Sequence, residues 1–209
     1  MWIPHIINNH GEIMTMLSYH NDPVIKAKYI ARFEAHRSAD QVVQGQGFDS
    51  KTGRGCFVGC TLDAYEHSHF PVELGWPIWL AHLADTIFEG LPKSEAPAFG
   101  TDLLACVPVG IDLEIVRVPF LVSVQRRNLD RLSGNFEPYA EQCRTAIQGV
   151  INFLLADAPS AESAAESAES AARSARSAWS AAESAESAES QIQRDVLLSI
   201  LRSLRIPKK

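Results

Sequence analysis

"WPIWLAHLADTIFEGLP", residues 76–92, sets the fold class. Pro77 has no amide hydrogen to lose and suits a first helical turn, while Gly90 suits a helix end. Between them Leu80, Leu83, Ala84, Ile87 and Phe88 recur at three- and four-residue steps. That rhythm lines one face of an α-helix, whereas a strand would scatter the same residues over both faces.

Working outward, residues 21–45, "NDPVIKAKYIARFEAHRSADQVVQG", follow the same logic. Asn21 or Asp22 can accept from free amides as an N-cap, and Pro23 fits the first turn. Ile25, Tyr29 and Phe33 share a face, Ile30, Val42 and Val43 widen it, and Gly45 supplies the stop. On the other side a short helix is expected over Ala98–Cys106, broken or started late by Gly100. Pro108, Gly110 and Pro119 mark irregular chain, and Phe120–Leu132 reads as helix. Phe136–Leu155 is the best-patterned helix, with Ala140, Cys143, Ile147, Val150, Ile151 and Leu154 on one face. Residues 45–62, "GQGFDSKTGRGCFVGCTL", break this pattern. Their glycines predict a small hairpin or loop with a turn at Ser50–Gly53. Phe57–Val58 and Thr61–Leu62 read as either a short strand or the opening of a helix.

Residues 160–190, "SAESAAESAESAARSARSAWSAAESAESAES", raise a different question. Ser falls at 160, 163, 167, 170, 174 and 177, alternating steps of three and four that average 3.5, the coiled-coil period. Two steps of three then bring Ser180, a stammer with Trp179 on it. Beyond it the alanine seam meets Ile192, Val196 and Ile200. One unbroken helix over 160–205 would be about 70 Å long at about 1.5 Å per residue. An alanine seam buries little apolar area, so the Ile192–Leu204 stretch must supply most of any association energy.

The expectation is therefore a mainly α protein. A compact helical domain over 16–156 carries a small Gly-rich hairpin or loop. A long Ala/Ser-rich C-terminal helix follows over 160–205, and residues 1–15 form a loose N-terminal extension, with Met14 and Met16 as alternative starts. Of 209 residues 46% are hydrophobic, enough for an ordinary core. The net charge of −6, without a basic stripe, argues against binding the phosphate backbone of nucleic acid. No apolar run reaches the length of a membrane span, and no signal-peptide pattern opens the chain, so a cytoplasmic location is expected. Cys56, Cys60, Cys106 and Cys143 would then be reduced thiols.

Two readings of "GRGCFVGCTLDAYEHSHF", residues 53–70, carry chemistry. Cys56, Cys60, His67 and His69 offer two thiolates and two imidazoles, a set that suits tetrahedral zinc, although the Cys-to-His spacing is shorter than in standard fingers. His67 and His69 share a side only if that segment is extended. Alternatively Cys56, after a glycine at a helix start, is a nucleophile with His36 or His67 as base and Asp40 or Glu66 as orienting group. Two further pairs, His36/Asp40 and His82/Asp85, read as ordinary solvated helix faces. Small buried apolar residues account for the cysteines equally well.

Residues 18–40 "SYHNDPVIKAKYIARFEAHRSAD", 55–62 "GCFVGCTL", 73–92 "ELGWPIWLAHLADTIFEGLP" and the Ala/Ser/Glu/Arg tail together resemble an uncharacterised set of bacterial and phage-encoded proteins. That set carries a Gly-Cys-x-Val-Gly-Cys-Thr element and an Ala-rich helical tail. The resemblance implies that the Cys56–Leu62 element belongs to the body, and it brings no activity with it. From the residues, the expected function is a non-enzymatic interaction or regulatory protein that self-associates through its C-terminal helix, with an unknown protein partner also open. The alternative is a small zinc-binding protein or cysteine-dependent enzyme centred on Cys56, Cys60, His67 and His69.

Overall fold

The computed structural model describes residues 6–7, 13–14, 16–132, 140–156 and 186–204. It is mainly helical. The elements are β1 (Ile6–Ile7), β2 (Ile13–Met14), α1 (Pro23–Ser38), β3 (Phe48–Asp49), β4 (Arg54–Gly55), α2 (Phe57–Leu62), α3 (Phe70–Leu74), α4 (Ile78–Gly90), α5 (Ala96–Cys106), α6 (Glu114–Arg131), α7 (Ala140–Leu155) and α8 (Glu186–Ser203). Short 3-10 turns cover Ser18–Asn21 and His67–His69.

The chain forms two compact units. Among the described residues, one holds 6–7, 13–14 and 16–114 together with 187–204, and the other holds 115–132, 140–156 and Glu186. The sequence had suggested one body over 16–156; in the structure α8 belongs with the N-terminal part. In the smaller unit α6 buries Val116, Phe120 and Val122, and α7 buries Ala146 and Ile151. Helix α6 starts earlier than expected and carries Pro119 inside it rather than before it. The repeat rhythm from Ser160 to Ala185 lies outside the described residues, as does the start of the helix expected from Phe136.

The larger unit is built around an aromatic cluster. Phe57 stands with its ring centroid 5.8 Å from Phe33, 6.0 Å from Phe70 and 6.4 Å from Phe99. Trp76 joins Phe70 at 5.9 Å and Tyr19 at 5.7 Å. All six rings are buried, and each such side chain contributes roughly 1.5–3 kcal/mol relative to exposure. Helix α5 begins before its expected start, and Gly100 lies inside it because the Phe33 ring occupies the space a Cβ would need.

Helix α1 is capped as the sequence reads: the Asp22 side chain accepts from Val24 N at 2.8 Å. It ends at Ser38, well before Gly45, because Asp40 turns into the left-handed region at φ 52°. Val42 then leaves the helix face and bridges to Gly55 in parallel. The Gly-rich segment forms the expected hairpin, β3 pairing antiparallel with β4, and Phe57 opens a helix rather than a strand. At the other end of the chain, α8 buries Leu197, Leu198 and Leu201 within its own chain. Arg194 bonds Glu95 at the start of α5, Gln191 Nε2 donates to the same carboxylate at 2.9 Å, and Arg202 faces Asp102 at 4.0 Å.

Candidate functional site

The hairpin fixes the backbone at Cys56. Cys56 N donates to Gln46 O at 2.8 Å and to Gly47 O at 3.1 Å, and Cys56 O accepts from Cys60 N at 2.9 Å as α2 begins. This backbone stack is tight. A Cβ at Gly59 would collide with the Gly47 carbonyl oxygen, a backbone atom that cannot swing aside. The glycines predicted to punctuate the chain therefore let the loop lie directly on α2.

Helix α4 crosses beneath the thiol and supplies two carboxylates one turn apart, Asp85 and Glu89. The apolar stripe of α4 is buried as predicted at Leu80, Ala84, Ile87 and Phe88. Asp85, however, is buried with it, although the sequence placed it on a solvated face. Among the described residues, Cys56, Asp85 and Glu89 form a cluster whose ligand-type atoms all lie within 4.8 Å of one another. Glu89 is held by Gly45 N, which donates to its Oε2 at 2.7 Å. The turn that brings Gly45 there is secured by Gln44 Nε2, which donates to Phe88 O at 2.6 Å and Leu91 O at 2.8 Å.

The two oxygens of Asp85 live in different surroundings. Oδ2 accepts from His67 Nε2 at 3.0 Å and from Tyr65 Oη at 3.1 Å. Oδ1 is buried and has no hydrogen-bond partner of good geometry among the described residues, the Cys56 thiol interacting only weakly with this carboxylate. A buried, unpartnered acceptor costs about 1–3 kcal/mol, more when charged. His67 in turn lies flat against His82, ring centroids 4.1 Å apart and planes 13° off parallel, and meets the Tyr65 ring edge-on at 5.1 Å.

The electrostatics point the same way. Burial pushes the Cys56 thiol up to about 12, with the neighbouring Asp85 adding to the rise. The Asp85 charge, with burial, lifts the Tyr65 phenol to about 12. Burial, and then Asp85, raises Glu89 above the usual carboxylate range, against the pull of the Gly45 amide. Three acidic groups crowd one buried carboxylate, and each gains if positive charge enters.

The four sequence-predicted ligands do not come together. Cys56 joins Asp85 and Glu89. The Cys60 thiol, one turn along α2, bonds Gly55 O at 3.2 Å instead. Burial pushes Cys60 up to about 12. His67 reaches the cluster through Asp85, and His69 is exposed at the end of the same 3-10 turn. That turn is helical rather than extended, so residues two apart diverge. The residues suggested around a nucleophile also separate. His36 bonds Asp63 at 2.8 Å and Gln41 at 2.9 Å rather than Asp40, and Glu66 accepts from Ser68 at 2.8 Å. Asp85 and Glu89 were missed, yet one signal was present: Asp85 lies four residues after Ala81 and three before Phe88, inside the buried arc of α4.

No family model matches the chain, and neither a curated protein nor a solved structure matches it.

Proposed function

We propose that the protein binds a zinc-like divalent cation through Cys56 Sγ, Asp85 Oδ1 and Glu89. The observation that carries this reading is the buried, unpartnered Asp85 Oδ1, set in a cluster with a thiol and a second carboxylate. A cation there would satisfy that oxygen and draw the proton from Cys56. One sulfur with two oxygens favours zinc, cobalt or ferrous iron over the all-oxygen shells of calcium and magnesium. Three protein ligands leave a further position for water, as in reactive zinc sites rather than closed structural ones.

The cysteine-nucleophile alternative draws less support. Activation calls for a base or positive charge beside the sulfur, whereas here the neighbours are the carboxylates of Asp85 and Glu89. The raised thiol is the reverse of an activated one. Self-association through the C-terminal helix cannot draw on Leu197, Leu198 and Leu201, which are covered within the chain. Half-buried Ile192, Val196 and Ile200 remain for a partner copy. The metal reading requires reduced Cys56, in keeping with free cysteines and with a cytoplasmic location. Among the described residues no helix is long and apolar enough to cross a membrane.

Metal analysis of protein purified without chelator, followed by titration of metal-free protein with zinc, tests the proposal. About one equivalent bound, with raised thermal stability, is expected. Zinc below a tenth of an equivalent, together with no stabilisation on adding zinc or cobalt, would end it.

A further inference from the structure

We infer that His82 is a positioning residue of this centre, holding His67 and through it the carboxylate of Asp85. The inference rests on the metal reading above. Metal-bound carboxylates need an outer partner that fixes which oxygen faces the ion and at what angle. Here His67 Nε2 and Tyr65 Oη both donate to Oδ2 and leave Oδ1 as the free atom. A carboxylate only accepts, so the direction of these bonds is settled by chemistry.

His67 comes from a three-residue 3-10 turn, an element too short to fix a ring by itself. Its ring is held from two sides instead, by the edge of Tyr65 at 5.1 Å and the face of His82 at 4.1 Å. His82 lies on α4, three residues before Asp85 and seven before Glu89. The stack and both carboxylates thus ride on one helix, so the support moves with the ligands it serves. His82 is itself exposed, and no burial of its own explains the parallel geometry.

The test compares zinc affinity and the cobalt absorption spectrum for the wild-type chain, His82→Ala and His82→Phe. Phenylalanine keeps a flat ring against His67 but has no ring nitrogen. His82→Ala is expected to weaken zinc binding up to about 10-fold, at or below the low end of the range for losing a directly bonded outer partner, and to change the cobalt bands. His82→Phe is expected to restore most of the affinity and the wild-type spectrum. If His82→Phe is as poor as His82→Ala, the nitrogen and not the stack matters, and the inference is overturned. If both variants bind like wild type, it is overturned as well. A wild-type chain that binds neither metal removes the centre itself, a result separate from either of these.

Discussion

Replacing Asp85 by Asn separates a metal centre from an ordinary buried ion pair. The side chain keeps its shape, and its carbonyl oxygen still accepts from His67 and Tyr65, which now hold Oδ2 at 3.0 and 3.1 Å. The amide nitrogen takes the place of Oδ1, the atom that has no partner. It can donate toward Glu89 or the Cys56 sulfur, within the same 4.8 Å cluster. The metal-free variant therefore loses a buried charge and gains a satisfied donor. Relief of the unpartnered acceptor is worth about 1–3 kcal/mol. For a chain of this size that corresponds to a rise in Tm of roughly 2–4 °C per kcal/mol. The wild-type protein gains about 2.7 kcal/mol from zinc at a hundred times its Kd, and the variant should gain almost none. Thermal unfolding of both proteins, with chelator and with zinc, reads both effects at once. A variant that melts lower than wild type without metal, yet still rises with zinc, would refute the reasoning, because Asp85 would then be a structural partner rather than a ligand.

Two further outcomes are expected. Leu201 is fully buried, so Leu201→Ala should cost about 2–5 kcal/mol in urea unfolding. Half-buried Ile200 should cost clearly less, and equal small losses would mean that α8 is not docked on its own chain. Stability should also fall as the pH rises above about 8.5, where unfolded thiols ionise. Burial pushes Cys56 and Cys60 up to about 12 and Cys106 up to about 11. The folded chain therefore keeps protons that the unfolded chain releases, and unfolding is favoured progressively until the folded thiols ionise as well. A urea midpoint that stays flat from pH 8 to about 10.5, measured with chelator and reductant, would contradict this.

Much of the helix pattern was legible because its causes are local. Asp22 and Pro23 start α1 through capping chemistry that needs no neighbours, whereas the end of α4 at Gly90 is also held by Gln44, which donates to Phe88 O and Leu91 O. The boundaries that failed depend on distant groups. Gly100 sits within α5 because of the Phe33 ring, and α1 stops early as His36 turns to Asp63 and Asp40 enters the left-handed region.

The sequence by itself determined that the chain is mainly helical and that a Gly-rich hairpin interrupts the helices. It determined these because capping, turn formation and three-to-four periodicity act over a few residues. Only the tertiary structure decided which carboxylates lie beside Cys56. Cys56 and Asp85 are far apart in the chain, and their meeting depends on how α2 lies on α4, which spacing rules do not encode. Tertiary packing likewise decided that the leucines of α8 meet their own chain. An aliphatic face buries against whatever apolar surface is near, and its periodicity is the same whether that surface belongs to the same chain or to another.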